Sequence, residues 1–181
     1  MVAKSSHPKQ HGASLIESLM GLVITAVVAT LAASAWANQI TSRRLIGYID
    51  ELIQDMHWAR SEAVVRGASV RLSLVNDGAG QACYVIHTGE ANACGCAAST
   101  NQACSATATA LKVVKLTSSD NLSLSYTSQS LLWSSTTGTV TPAGTVKLEH
   151  PSLGAVHVVV NMMGRIRTCS PSAAVTGHPA C

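Results

Sequence analysis

The segment GASLIESLMGLVITAVVATLAASAWA, residues 12–37, decides how this chain is built. Before it, residues 1–12 are polar, include Lys4 and Lys9, and contain no acid. From 13 to 37 the only charged side chain is Glu17. A helix of this length, at about 1.5 Å per residue, matches a hydrocarbon core of about 30 Å. We therefore predict a transmembrane helix at 13–37, with the basic leader in the cytoplasm and the rest of the chain outside.

A secretory signal peptide is the alternative for this segment. Its apolar region usually has about 7–15 residues and ends in a small-residue cleavage site. The present segment is longer and carries Glu17 near its start. An acid in the first helical turn is favoured by the helix dipole, but a carboxylate in lipid is costly and is expected to have a partner or a function.

The leader junction has a specific pattern: a short basic leader, Gly12 at its end, and Glu17 five positions into a long apolar helix. This pattern resembles the leader site of type IV prepilins and pseudopilins. The resemblance implies that a prepilin peptidase cleaves between Gly12 and Ala13 and methylates the new N-terminus, although Ala13 stands where the family usually has Phe. It also implies that Glu17 pairs with the N-terminal amine of a neighbouring pilin during filament assembly, because a charge buried in lipid needs a counter-ion.

Beyond residue 37 the helix is predicted to continue to about residue 66 as an amphipathic segment. Gly67 follows Arg66 at the position of a helix C-terminal cap. The polar side of this segment is predicted to hold Arg44, Glu51, Asp55 and Glu62. Apolar residues recur on the other side at spacings of three and four: Leu45, Ile49, Leu52, Met56, Ala59 and Ala63.

After Gly67 the apolar period changes from helical to two, which indicates strands. No helix is predicted between them, so the sheet should be mostly antiparallel. The fold class is therefore α+β: a long N-terminal helix packed on a β-rich domain, with residues 38–181 forming the helix continuation and that domain. The predicted strands are 70–75, 83–86, 111–116, 122–126, 146–148, 156–160 and 166–169.

Six cysteines in 181 residues favour an oxidising compartment. Cys169 and Cys181 bracket a turn-rich tail, and they are the most plausible single disulfide. Four more cysteines lie around the polar loop at 89–109, and their pairing is left open: Cys83, Cys94, Cys96 and Cys104. A zinc site is the alternative for these four, but they offer one C-x-C where zinc ribbons use two C-x₂-C pairs, so disulfides are favoured and no metal is predicted.

The sequence contains no recognisable catalytic constellation. It lacks G-x-S-x-G, H-E-x-x-H, G-x-x-x-x-G-K-[ST] and a G-x-G-x-x-G that opens a helix. Nothing in it makes an activated nucleophile or a metal-bound water. We therefore expect neither an enzyme nor a cofactor.

The residues that stand out are Gly164-Arg165-Ile166-Arg167. In a strand, residues i and i+2 share a face, so Arg165 and Arg167 should project together about 6.7 Å apart. Two guanidinium groups at that separation suit two neighbouring phosphates, and Gly164 suits a tight turn or bulge that leaves the pair exposed. An ordinary solvated strand face is the alternative.

A prepilin-like leader, a β-rich domain and a last strand with G-R-x-R followed by Cys169-Ser170-Pro171 resemble the minor pilins of the FimT and GspH group. The FimT-like members of naturally transformable bacteria use this motif to bind DNA during uptake by type IV pili. The resemblance thus implies a minor pilin that binds extracellular double-stranded DNA through Gly164, Arg165 and Arg167. It also implies other pilins, the prepilin peptidase and the bacterial inner membrane as partners, with a periplasmic domain that later joins a surface pilus.

Four further basic residues are weaker DNA-binding candidates, chosen only because they lie on predicted strands: Lys112, Lys115, Lys147 and Arg71. The alternative function is a structural minor pilin, or a type II secretion pseudopilin, that primes filament assembly without binding DNA.

The overall charge does not favour DNA binding. The formal net charge is +3, from 12 basic and 9 acidic side chains. Removing Lys4 and Lys9 with the leader leaves +1. DNA binding therefore needs a local group of arginines on a nearly neutral surface.

Overall fold

A computed structural model describes residues 14–76, 82–96, 104–105, 107–116, 121–171 and 175–181. The chain divides into two units, Met1–Ile40 and Thr41–Cys181. One helix, α1, runs from Leu15 to Arg66. The predicted leader at 1–12, with Gly12, and Ala13 lie outside the described residues.

In the first unit, α1 exposes large apolar side chains, including Leu15, Leu22 and Leu31. Glu17 lies in the first turn of the helix. No helix within the described residues meets the length and apolarity needed to cross a membrane. The transmembrane helix predicted at 13–37 is therefore not confirmed.

In the second unit, the predicted amphipathic face of α1 is confirmed. Gly67 ends the helix with a φ of 62°, the left-handed conformation that glycine adopts without a steric penalty. Six residues predicted at spacings of three and four on the apolar side are at most 1% exposed: Leu45, Ile49, Leu52, Met56, Ala59 and Ala63. Ile46 and Ile53, predicted beside them, are partly buried against the same core.

The prediction for Asp55 is wrong. It was assigned to the solvent side of the helix, but its residue surface is only 6% exposed. Tyr84 and Lys112, from two different strands, donate hydrogen bonds to its carboxylate. Burial is possible because these donors replace water around the charge.

Within the described residues, nine strands form two antiparallel sheets. The first sheet has the order β3-β2-β1-β5-β6 and the second β4-β7-β8-β9. All pairings of the named strands are antiparallel, as predicted. The strands are β1 (Val70–Asn76), β2 (Ala82–Thr88), β3 (Thr109–Leu116), β4 (Ser123–Tyr126), β5 (Ser130–Trp133), β6 (Val140–Thr141), β7 (Gly144–His150), β8 (Gly154–Val160) and β9 (Ile166–Cys169).

Seven of these strands were predicted, and β5 and β6 were not. Strand β5 pairs with β1, and its Leu131 and Trp133 are at most 1% exposed. Alternate residues of β7 and β8 are buried in the same core, including Val146, Val158 and Val160. The core of the second unit thus lies between the C-terminal part of α1 and the inner faces of both sheets.

The predicted disulfide Cys169–Cys181 is present. The four cysteines left open pair as Cys83–Cys96 and Cys94–Cys104. In the tail, the Ser170 N–H donates to Pro179 O at 2.8 Å, and the Cys181 N–H donates to Ser170 O at 3.2 Å. The disulfide and these backbone bonds hold the C-terminus against the end of β9.

Candidate nucleic-acid interface

Both arginines of the Gly164-Arg165-Ile166-Arg167 motif are exposed. Arg165 immediately precedes β9 and Arg167 is its second residue. Ile166, between them, is half-buried and packs against the main core. Because alternate residues of an extended chain share a face, we expect the two guanidinium groups to project on one side, about 6.7 Å apart along the backbone.

A tight turn fixes the backbone in front of this pair. The Gly164 N–H donates to Asn161 O at 2.9 Å, and the Asn161 N–H donates to Arg165 O at 3.1 Å. The Arg165 N–H donates to Asn161 Oδ1 at 2.8 Å. Gly164 is buried with a φ of 76°. The turn predicted for Gly164 is therefore confirmed, and it holds Arg165 at both its N–H and its carbonyl.

Within the described residues, neither arginine of the pair forms an ion pair with a carboxylate. Both side chains are exposed to solvent. Exposed guanidinium donors can bind carboxylate or phosphate oxygens in a bidentate manner.

Lys147 is the weaker candidate that lies in the same sheet as the arginine pair. It is half-buried on β7, opposite His157 of β8, which in turn is opposite Cys169 of β9. Two strand spacings, about 10 Å, therefore separate Lys147 from β9. Burial, and next the charge of Lys147, lower the pKa of His157, while Glu149 opposes this. The face around Lys147 thus has mixed charge.

Lys112, Lys115 and Arg71 lie in the other sheet, on β3 and β1. Arg71 Nη1 donates to Ser130 Oγ at 2.9 Å, and Lys115 is exposed. The structure does not place these three residues on the strands that carry the arginine pair.

Lys112 has partners within the protein. Its Nζ lies 2.9 Å from Glu51 Oε1 and 2.7 Å from Asp55 Oδ2. Although burial lowers the pKa of Lys112, the hydrogen bonds and charges of Asp55 and Glu51 outweigh burial and raise it. Lys112 therefore joins β3 to α1 and offers little of its charge to a ligand.

His157, Cys169 and Cys181 have potential metal-ligating atoms within 4.8 Å of one another. The two sulfur atoms are bonded to each other, however. Metal binding by cysteine requires a thiolate. With Cys169 and Cys181 joined in a disulfide, His157 is the one residue of these three that can still act as a ligand.

Sequence reasoning missed three residues near the arginine pair. Met162 and Met163, in the turn, are 62% and 71% exposed. Arg60 of α1 lies against the same turn. The methionines precede the motif directly and could have been noticed, but nothing local connects Arg60 to a turn so far along the chain.

Comparison with known proteins identifies the family. The family model described as type II transport protein GspH matches residues 49–164, more than half of the chain and ending directly before Arg165. A crystal structure of the type IV minor pilin FimU from Pseudomonas aeruginosa (strain PAO1) is similar at 18% sequence identity with a TM-score of 0.49, covering 72% of this chain and 91% of that chain. No curated protein matches the chain. The family match confirms the resemblance to the FimT and GspH group: the chain belongs to the GspH family of type II transport proteins.

Proposed function

We propose that the protein is a minor pilin that binds extracellular double-stranded DNA through Arg165 and Arg167 and supports DNA uptake in natural transformation. The observation that carries this proposal is the fixed, exposed arginine pair that has no carboxylate partner among the described residues. Two guanidinium groups on one face match the phosphates of a nucleic-acid backbone.

The binding would be independent of DNA sequence, because the contacts go to phosphates. Two such contacts give weak affinity, on the order of 10⁻⁴ to 10⁻⁶ M, as for other non-specific binding. Several subunits acting along one filament would raise the effective affinity without any new contact. Few aromatic side chains are available for stacking on single strands, which favours a duplex ligand.

The test is a titration of labelled duplex DNA with the full-length protein in neutral detergent at 50 mM salt. Arg165→Ala combined with Arg167→Ala should abolish binding, while Lys115→Ala, an exposed cation of the other sheet, should bind like wild type. Unchanged binding in the double variant would overturn the site. No binding by the wild type would overturn the function.

The N-terminal expectations belong to the same proposal. We expect the prepilin peptidase to cleave between Gly12 and Ala13 at the inner membrane and to methylate Ala13, and Glu17 to pair with a neighbouring subunit in the filament. Intact-mass analysis after co-expression with the peptidase should show the cleaved, methylated chain. Gly12→Val should retain the leader.

The family description favours a second candidate function, a type II secretion pseudopilin or structural minor pilin that primes assembly. It shares the fold and the leader but needs no DNA affinity. Association with other minor pilins, together with no DNA binding at 50 mM salt, would select this function.

A further inference from the structure

Arg60 of α1 lies against two glycine turns of the β domain. A Cβ added to Gly138 would stand 3.0 Å from Arg60 Nε and 3.3 Å from Nη2. A Cβ added to Gly164 would stand 3.4 Å from Arg60 Nη1. The guanidinium therefore occupies the space that side chains at these two positions would otherwise fill.

The two glycine turns are also in contact with each other. The Val140 N–H, just after the first turn, donates to Met162 O in the second at 2.9 Å. A Cβ on Gly164 would come within 3.2 Å of Gly138 O. Both glycines have positive φ, 63° and 76°. We call this surface, formed by Gly138 and Gly164, the glycine seat.

The glycine seat places the Arg60 guanidinium next to Gly164, the residue that directly precedes Arg165 in the chain. Arg60 is exposed, and none of the ion pairs among the described residues includes it. Its guanidinium packs against the seat, so it has less conformational freedom to lose when it binds a ligand than a lysine or arginine surrounded by solvent.

We infer that Arg60 is a third phosphate-contacting residue of the DNA interface. Gly164 then has two roles: it allows the tight turn, and it leaves space for the Arg60 guanidinium. This inference rests on the proposed function. The ligand group is the phosphodiester backbone, which has neighbouring anionic oxygens for three guanidinium groups. Arg60 adds no sequence preference.

Salt dependence provides the test, since each phosphate contact contributes about 0.9 to the slope of log K against log salt. Full-length protein in neutral detergent is titrated into a labelled random-sequence duplex from 50 to 200 mM salt. Arg60→Gln should reduce the slope by about 0.9, so its affinity deficit relative to wild type shrinks about 3.5-fold over this range.

The matched control is Arg66→Gln, which removes the same charge from the same helix. Arg66 is ion-paired with Glu62, so this variant should keep the wild-type slope. Thermal melting of both variants establishes that the comparison is made on folded protein.

Chemical protection provides a second measurement that does not depend on a variant folding. Phenylglyoxal modifies accessible arginines, and peptide mass mapping locates the adducts. DNA should protect Arg60 along with Arg165 and Arg167, and should leave Arg66 as reactive as in free protein.

The outcomes separate this inference from the proposed function. If Arg60→Gln keeps the wild-type slope, or if DNA leaves Arg60 unprotected, the role of Arg60 is overturned. The double variant Arg165→Ala with Arg167→Ala then still tests the proposed function separately. If the wild type binds no DNA, both the proposed function and this inference are overturned. A reduced slope with selective protection supports the inference.

Discussion

Tyr84 of β2 donates its phenolic hydrogen bond to Asp55 Oδ2 of α1 over 2.7 Å. The same carboxylate accepts from Lys112 of β3. One buried acid of the helix is therefore bonded to two neighbouring strands of the first sheet. This arrangement fixes the rotation of the helix more specifically than apolar packing does, because each donor must meet a particular oxygen.

Lys112→Gln should lower the free energy of unfolding by about 1–3 kcal/mol, because it leaves the nearly buried Asp55 carboxylate with fewer donors. The affinity for DNA should stay at the wild-type value. Urea unfolding measures the first effect. Lys115→Gln, an exposed position on the same strand, is the control and should change stability by no more than about 0.5 kcal/mol; equal stabilities of the two variants would contradict a structural role for Lys112.

The protein should lose stability at alkaline pH because Tyr84 and Lys112, the two donors to Asp55, deprotonate. Burial, and next the hydrogen bond to Asp55, raise the pKa of Tyr84 above its usual 10.0, and the pKa of Lys112 is also raised. The unfolded chain thus loses these protons before the folded chain does. The contribution is fully present below about pH 10 and is lost as pH rises further. Tm measured from pH 8 to 11.5 should fall less steeply in Tyr84→Phe, and parallel curves would count against this linkage.

The helix and most strands were predictable because their signals are local. Apolar residues at spacings of three and four, with Gly67 after them, determine the buried face and the end of α1. The i, i+2 spacing of Arg165 and Arg167 predicts a common face, and both residues are exposed. Strand β5 was missed because Leu131 and Leu132 are adjacent in Ser130–Trp133, so its apolar residues do not alternate with polar ones.

The misassigned Asp55 and the missed Arg60 have a common cause. Asp55 meets partners 29 and 57 residues away in the chain, and Arg60 meets Gly138 and Gly164, which are more distant still. A charged residue is normally assigned to the solvent side of a helix. Only the tertiary fold brings the donors or the glycine seat to these side chains.

Two glycine substitutions should have opposite effects on stability. Gly164→Ala should lower the free energy of unfolding by about 1–2 kcal/mol, because an alanine at a φ of 76° is strained and its Cβ would stand 3.2 Å from Gly138 O. Gly47→Ala, in the exposed interior of α1 with nothing within 4 Å of the added Cβ, should raise it by about 0.5–1 kcal/mol. Urea unfolding of both variants gives the comparison, and a destabilisation in both would reject the conformational argument.

Cys169→Ser combined with Cys181→Ser should cost about 3 kcal/mol of stability, as expected when a loop of this length is opened. Amide hydrogen exchange should accelerate at Thr168 and Cys169 at the end of β9. The control, Cys94→Ser with Cys104→Ser, opens a loop of similar length and should leave exchange in β9 at the wild-type rate. Unchanged exchange at the end of β9 in the first variant would show that the tail does not hold the strand.

The tail closed by the Cys169–Cys181 disulfide also affects whether the edge of the second sheet can pair with a strand from another protein molecule. Strand β9 is the outermost strand of that sheet, and an open edge of this kind can pair with a strand from another chain. Ser170 at its end already exchanges backbone hydrogen bonds with Pro179 and Cys181, and the disulfide prevents this segment from leaving. The oxidised tail therefore occupies the backbone groups of Ser170 at the end of this edge, and reducing the disulfide should free them to pair with another chain.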